Sequence, residues 1–316
     1  MLRTSVNPSI GEPRTGSLPL TLLLGGIAWA SLVLVKPALV VWILVLGPTI
    51  IVPLGLELIR ARLSSGLERR AIEIGRWLWA PAVLGFVASF WFEQGLIAAT
   101  LAVPWLVTTL VLSLAGVGLL WRVGWPVNRS TAMVAALLLL PVGAGWVVLS
   151  RAGLRPQDFS HEIVLLTGVH FHFAGFALPI LAGLAVGSRT LRWGKLLLAT
   201  IVLGVPAVGV GISLSPHIEV GAAIILAGAS LTVAWLQARE GFRSRNGNRA
   251  MLQLISSVAL AAAMGLAGVY AVGEFTGATW LSIPVMIQTH GVLNAFGFAL
   301  CGLAARVLER NVPATD

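Results

Sequence analysis

From Pro37 to Leu56 the chain reads PALVVWILVLGPTIIVPLGL, twenty residues without a charge. At about 1.5 Å per residue, a helix of that length is roughly 30 Å long, the thickness of a bilayer's hydrocarbon core. Cutting the rest of the chain at charges and turn residues gives ten such runs. They lie at 18–35, 37–56, 77–92, 95–120, 131–150, 163–187, 196–214, 220–238, 250–272 and 281–305. The longest hydrophilic stretch, Arg60 to Arg76, reads as an amphipathic connector with Leu63, Leu67 and Ile74 along the headgroups. Composition agrees: 57% of the 316 residues are apolar and 10% are charged, against about 25% charged in a soluble domain. So few charges cannot cover a water-facing surface. The expected fold is an all-α, polytopic transmembrane bundle of about ten helices.

Charge sets the orientation. With the N-terminus in the cytoplasm and strict alternation, the inner side collects 18 Lys and Arg residues and the outer side 3, Lys36, Arg151 and Arg155. Trp77, Trp121, Trp125, Trp193 and Trp235 fall near the inner face, and Trp91, Trp146 and Trp280 near the outer one. Both termini are therefore expected in the cytoplasm, with a tail at 1–17, one membrane domain at 18–305 and a second tail at 306–316. A leader carrying Glu12, whose apolar stretch continues past Ala28-Trp29-Ala30 to Val35, reads as a span rather than a cleaved signal. The formal charge of +9 lies in short segments between apolar runs. That pattern suits anionic lipid and, without aromatic–basic interleaving, excludes nucleic acid as a partner. The single cysteine, Cys301, rules out an intrachain disulfide and a CxxC site. The chain is expected to be a multi-pass protein of the cytoplasmic membrane.

Polar residues inside the bilayer are costly and point to function. Helix six carries Thr167-Gly168-Val169-His170-Phe171-His172-Phe173-Ala174-Gly175-Phe176. Two residues along a helix turn about 200°, so His170 and His172 face opposite sides and serve either two different sites or one site and one packing contact. Gly168 and Gly175 flank His172 on its own face, leaving either a flat slot for a porphyrin ligated by His172 or a close helix contact. Helix ten carries Gln288-Thr289-His290-Gly291-Val292-Leu293-Asn294. His290 and Asn294 are one turn apart, so Asn294 is placed to orient the imidazole or to share a ligand with it. His170 and His290 fall at similar depth in the outer half, roughly 12–15 Å below the surface, and are expected to meet if helices six and ten are neighbours. Interhelical hydrogen bonding alone would also account for these histidines.

Several mechanisms are disfavoured. No Asp, Glu, Lys or Arg lies mid-bilayer, and Glu57 is close to the inner end of helix two, so a buried-carboxylate pump is not expected. No P-loop, HExxH, serine elbow or nucleotide turn occurs. A weak repeat aligns residues 172–178 with 294–300, sharing Gly-Phe-Ala-Leu on helices that run the same way.

The segments 52–58, 166–176 and 289–298 resemble the YndJ-like family of bacterial membrane proteins. The resemblance covers most of the chain and implies a polytopic protein of the cytoplasmic membrane, with no established mechanism. The His-Phe-His triplet also resembles the haem-ligating motif of haem-copper oxidase catalytic subunits, where two such histidines bind different haems. Those enzymes need further histidines that this chain lacks. The resemblance would map those two roles onto His170 and His172; a full oxidase is excluded, leaving a reduced one-haem or one-copper site.

Three readings follow. The first is a carrier or channel for a small solute, bound by His170, Asn294 and Gln288, with Glu162 at the mouth. The second is a haem or metal redox protein using His172 or His170 with His290, with Gly168 and Gly175 beside His172. The third is a membrane isomerase or cyclase acting on a lipophilic substrate, with His170 or His290 as acid or base near neutral pH.

Overall fold

A computed structural model describes residues 18–63, 66–124, 127–187 and 192–310 of the chain. The orientation cues at Arg3, Arg14, Trp125 and Arg189, and the tail assignments before residue 18 and after 310, lie outside the described residues. Those residues form ten helices and no strand. The helices are α1 Leu18–Leu34, α2 Leu39–Arg60, α3 Leu67–Trp91, α4 Leu96–Val123, α5 Arg129–Arg151, α6 His161–Val186, α7 Arg192–Leu214, α8 Pro216–Arg243, α9 Gly247–Thr276 and α10 Ile283–Glu309. All but α1, which is shorter, are long and apolar enough to cross a membrane. Each expected run falls on one helix. In hydrocarbon the backbone must satisfy its own hydrogen bonds, so an apolar run has little alternative to a helix.

Local sequence sets several ends. The Asn128 side chain caps α5 at Ser130 N and Thr131 N, with Thr131 reaching back to the Asn128 backbone. Ser160 caps α6 at Ile163 N, and Asn246 caps α9 at Arg249 N. Gly277 (φ +73°) ends α9 in the left-handed helical conformation, and Gly187 ends α6 at another positive φ (+70°); glycine adopts both without strain.

One expectation is corrected. The stretch read as a headgroup connector is mostly the first turns of α3, which begins at Leu67 rather than at 77. Its two acidic residues are paired between helices: Glu68 with Arg122 of α4 at 2.8 Å and Glu73 with Arg60 of α2 at 2.6 Å. Leu63 is buried, while Leu67 and Ile74 are exposed. At the other end of the chain, α10 runs on to Glu309. There Arg306 pairs with Glu240 of α8 and Glu309 with Arg249 of α9.

The core is organised around α2. Of its most apolar stretch 83% is buried, against at most 61% in any other spanning helix. It packs against α1, α3, α6 and α10. Three of these helices widen into π-helical turns: α2 at Gly47–Ile51, α6 at Phe173–Ala177, and α10 at Ile287–Gly291 and Leu293–Leu300. The π turns of α2, α6 and α10 touch one another.

Proline explains the turn in α2. Pro48 has no N–H for the Leu44 carbonyl, which instead accepts from Gly47 N. The Thr49 hydroxyl donates to Val45 O at 2.7 Å, and the Trp79 indole of α3 donates to Pro48 O at 2.9 Å. In α10, Asn294 donates to His290 O, Cys301 to Phe296 O and Ser256 of α9 to Phe298 O. Side chains thus supply donors to π-turn carbonyls where water is absent. The shared Gly-Phe-Ala-Leu seen in sequence lies wholly or almost wholly on π-helical backbone in both α6 and α10.

Close approach of α2 and α6 depends on Gly55, where an added Cβ would overlap the buried ring of Phe176. Gly55→Ala is expected to destabilise the detergent-solubilised protein by about 1–3 kcal/mol, as overpacked cores do. Gly26→Ala, where a Cβ meets nothing within 4 Å, is expected to leave the thermal unfolding midpoint unchanged; equal midpoints for both variants would contradict this packing.

Candidate functional site

The two histidines of α6 point to opposite sides and have different surroundings. His172 is fully buried. Its Nδ1 lies 2.7 Å from Gly168 O, and because a carbonyl only accepts, Nδ1 carries the proton. Its Nε2 accepts from the Trp105 indole of α4 at 3.0 Å. Phe86 of α3 packs beside it, ring centroids 6.5 Å apart. Glycines make the room: a Cβ at Gly143 of α5 would come within 2.9 Å of His172 Nδ1, and one at Gly47 of α2 within 3.1 Å of its Cβ.

His170 faces α10. Its ring centroid lies 6.4 Å from that of His290, with the planes 29° apart. His170 Nδ1 donates to Leu166 O of its own helix at 3.0 Å. That leaves the Nε2 lone pair, which has no hydrogen-bond partner among the described residues, on a side chain that stays exposed. His290 is better satisfied. Nδ1 donates to Ala263 O of α9 at 2.9 Å, and Nε2 accepts from Asn294 Nδ2 at 3.1 Å. Asn294 Oδ1, the amide's acceptor, makes no hydrogen bond among the described residues. Both rings sit roughly 10–14 Å in from the helix ends at His161 and Ile283, by rise per residue.

Thus two of the three intramembrane imidazoles meet and the third is enclosed elsewhere. Asn294 joins the pair. Gln288 is exposed two residues before His290, and Glu162 is exposed at the start of α6, eight residues ahead of His170. Neither is brought to the rings.

The residues around His172 do not fit a haem. Both of its nitrogens are engaged, so an iron would have to displace the Trp105 bond. The slot expected beside Gly168 and Gly175 is filled by α5: a Cβ at Gly168 would meet Val147, and one at Gly175 would meet Leu139 and Phe171. These glycines serve close helix packing. His172 and His290 do not form a common ligand pair, since His172 binds Trp105 and the ring facing His290 is that of His170. Among the described residues no three His, Cys, Asp or Glu side chains converge as a metal site.

Sequence reasoning missed Trp105, Phe86, Gly47, Gly143 and the Ala263 carbonyl. Trp105 had a usable signal. It lies in the middle of an apolar run, away from the interfacial tryptophans, and a buried indole N–H needs an acceptor.

The sequence profile described as YndJ-like protein matches residues 42–298. The chain belongs to the YndJ-like family. It is 30% identical, over 233 residues, to a Bacillus subtilis (strain 168) protein described as "Uncharacterized membrane protein YndJ". The aligned part is 72% of this chain and 42% of that protein, so the chain spans less than half the length of its relative. No solved structure matches. Membership, with ten helices of which nine are of spanning character, makes this a membrane protein.

Trp105→Phe removes the donor to His172 Nε2 and leaves a buried lone pair unmet, a loss of about 1–3 kcal/mol. A lowered thermal or denaturant midpoint in detergent is the expected result. An unchanged midpoint would show that the bond contributes nothing.

Proposed function

We propose that the chain binds a small solute between α6 and α10 and carries it across the membrane, with the arginine-rich face in the cytoplasm and the histidine pair in the outer half. One observation carries this reading. Of the three intramembrane imidazoles, His170 alone keeps an unengaged nitrogen, and it does so on an exposed side chain opposite His290. The Nε2 lone pair and Asn294 Oδ1 are both acceptors, so the matching solute carries N–H or O–H donors. His290, held by Ala263 and Asn294, forms the opposite wall.

The backbone around the pair supports a functional role. The helices that bear the pair both contain π turns, and these meet a third in α2. Such turns are frequent at functional sites. The same His170 nitrogen would suit a general base in a membrane-embedded enzyme. Uptake of unaltered solute separates the two.

The test is a thermal-shift screen of purified protein against small amines, alcohols, amides and sugars, followed by uptake of any hit into proteoliposomes. His170→Ala is expected to weaken binding and uptake at least tenfold while leaving the unliganded midpoint within a few degrees, because its one hydrogen bond among the described residues stays within its own helix. A His170→Ala protein that binds and transports the hit like the original would contradict the assignment.

A further inference from the structure

A second site lies at the opposite end of the bundle. A cavity of about 480 Å³ opens where the ends of α2, α5, α6, α8 and α10 meet, with Arg62, Arg129, Arg306, Glu240 and Glu309 among its walls. That volume lies in the range of ligand pockets. Its carboxylates are already engaged. Glu240 takes Arg306 and the Gln253 amide, the latter at 2.8 Å. Glu309 takes Arg306 at 3.3 Å and Arg249 at 3.0 Å. Two guanidinium groups keep donors to spare. Arg306 is 6% exposed and its Nε is buried without a partner. Arg129 makes no ion pair among the described residues; its one hydrogen bond runs from Nε to Gly183 O at 3.3 Å, where it answers the negative end of α6.

We infer that this cavity is a binding site for a phosphate-bearing anion, held by Arg129 and Arg306. A buried donor without a partner is costly, and a guanidinium edge matches the oxygens of a phosphate. With Glu240 and Glu309 matched by Arg306 and Arg249, the remaining charge on the wall is positive. A tetrahedral group accepts from several directions at once, which suits the unengaged Nη edge of Arg129 on the cavity wall, with the Arg306 guanidinium adding positive charge beside it. Basic pockets between membrane helices suit the headgroups of anionic lipids, and a free phosphate offers the same chemistry.

The full chain, purified in neutral detergent, is titrated with phosphatidylglycerol, cardiolipin, inorganic phosphate and, as a zwitterionic control, phosphatidylcholine. Thermal shift and native mass spectrometry are the readouts. A rise in midpoint with an anionic probe and none with phosphatidylcholine is expected; a response to the two lipids alone assigns a headgroup, and a response that inorganic phosphate reproduces or competes away assigns a free anion. Arg129→Gln is expected to weaken binding at least tenfold, read as the ligand-dependent increment over its own unliganded midpoint because the variant also loses a cap on α6. Glu309→Gln removes a negative charge from the wall and is expected to tighten binding. No increment with any anionic probe, or equal increments in the original and Arg129→Gln proteins, would overturn the site.

Discussion

The bond from the Trp105 indole to His172 Nε2 sets the rotation of α6. A bilayer core supplies no water to a stray imidazole, so this ring must find both a donor and an acceptor inside the protein. Gly168 O provides the acceptor and Trp105 the donor, while Gly47 and Gly143 leave space for the ring. With His172 held toward α4, a residue two positions back must point about 200° away. That residue is His170, and the direction is that of α10. An internal bond that performs no chemistry thereby aims the side chain that carries the candidate site.

The second requirement is that helices widened into π turns keep their carbonyls bonded. Trp79, Asn294, Cys301 and Ser256 each reach such a carbonyl. Asn294 holds the backbone and the imidazole of His290 at once, so structure and site share one amide. Because α2 lies against both α6 and α10, its proline turn meets theirs. The histidine pair therefore rests on the least regular part of an otherwise regular bundle.

Much of this was legible in the sequence because hydrocarbon is an unforgiving solvent. Ten uncharged runs read as ten helices, and equal depth brought His170 opposite His290. Four features were not legible. Nothing in Leu67–Arg76 showed that Glu68 and Glu73 would find arginines on neighbouring helices, so a helical stretch read as a headgroup connector. Gly168 and Gly175 announced a small surface but not its occupant, which is α5 rather than a porphyrin. The repeated Gly-Phe-Ala-Leu was visible, yet 3.6- and wider-period turns leave the same hydrophobic pattern. Trp105 looked like one more apolar residue because its acceptor is 67 positions away.

The candidate site requires His170 and His290 to face each other across α6 and α10. The most direct measurement replaces both with cysteine in a Cys301→Ser background and treats the protein with a short bifunctional methanethiosulfonate reagent, counting free thiols by maleimide mass shift. A His170→Cys/His290→Cys pair should lose both thiols to one cross-link, whereas a Phe171→Cys/His290→Cys pair should not form it. If the two pairs behave alike, with each thiol reacting singly, the histidines do not face one another and the proposed site is wrong.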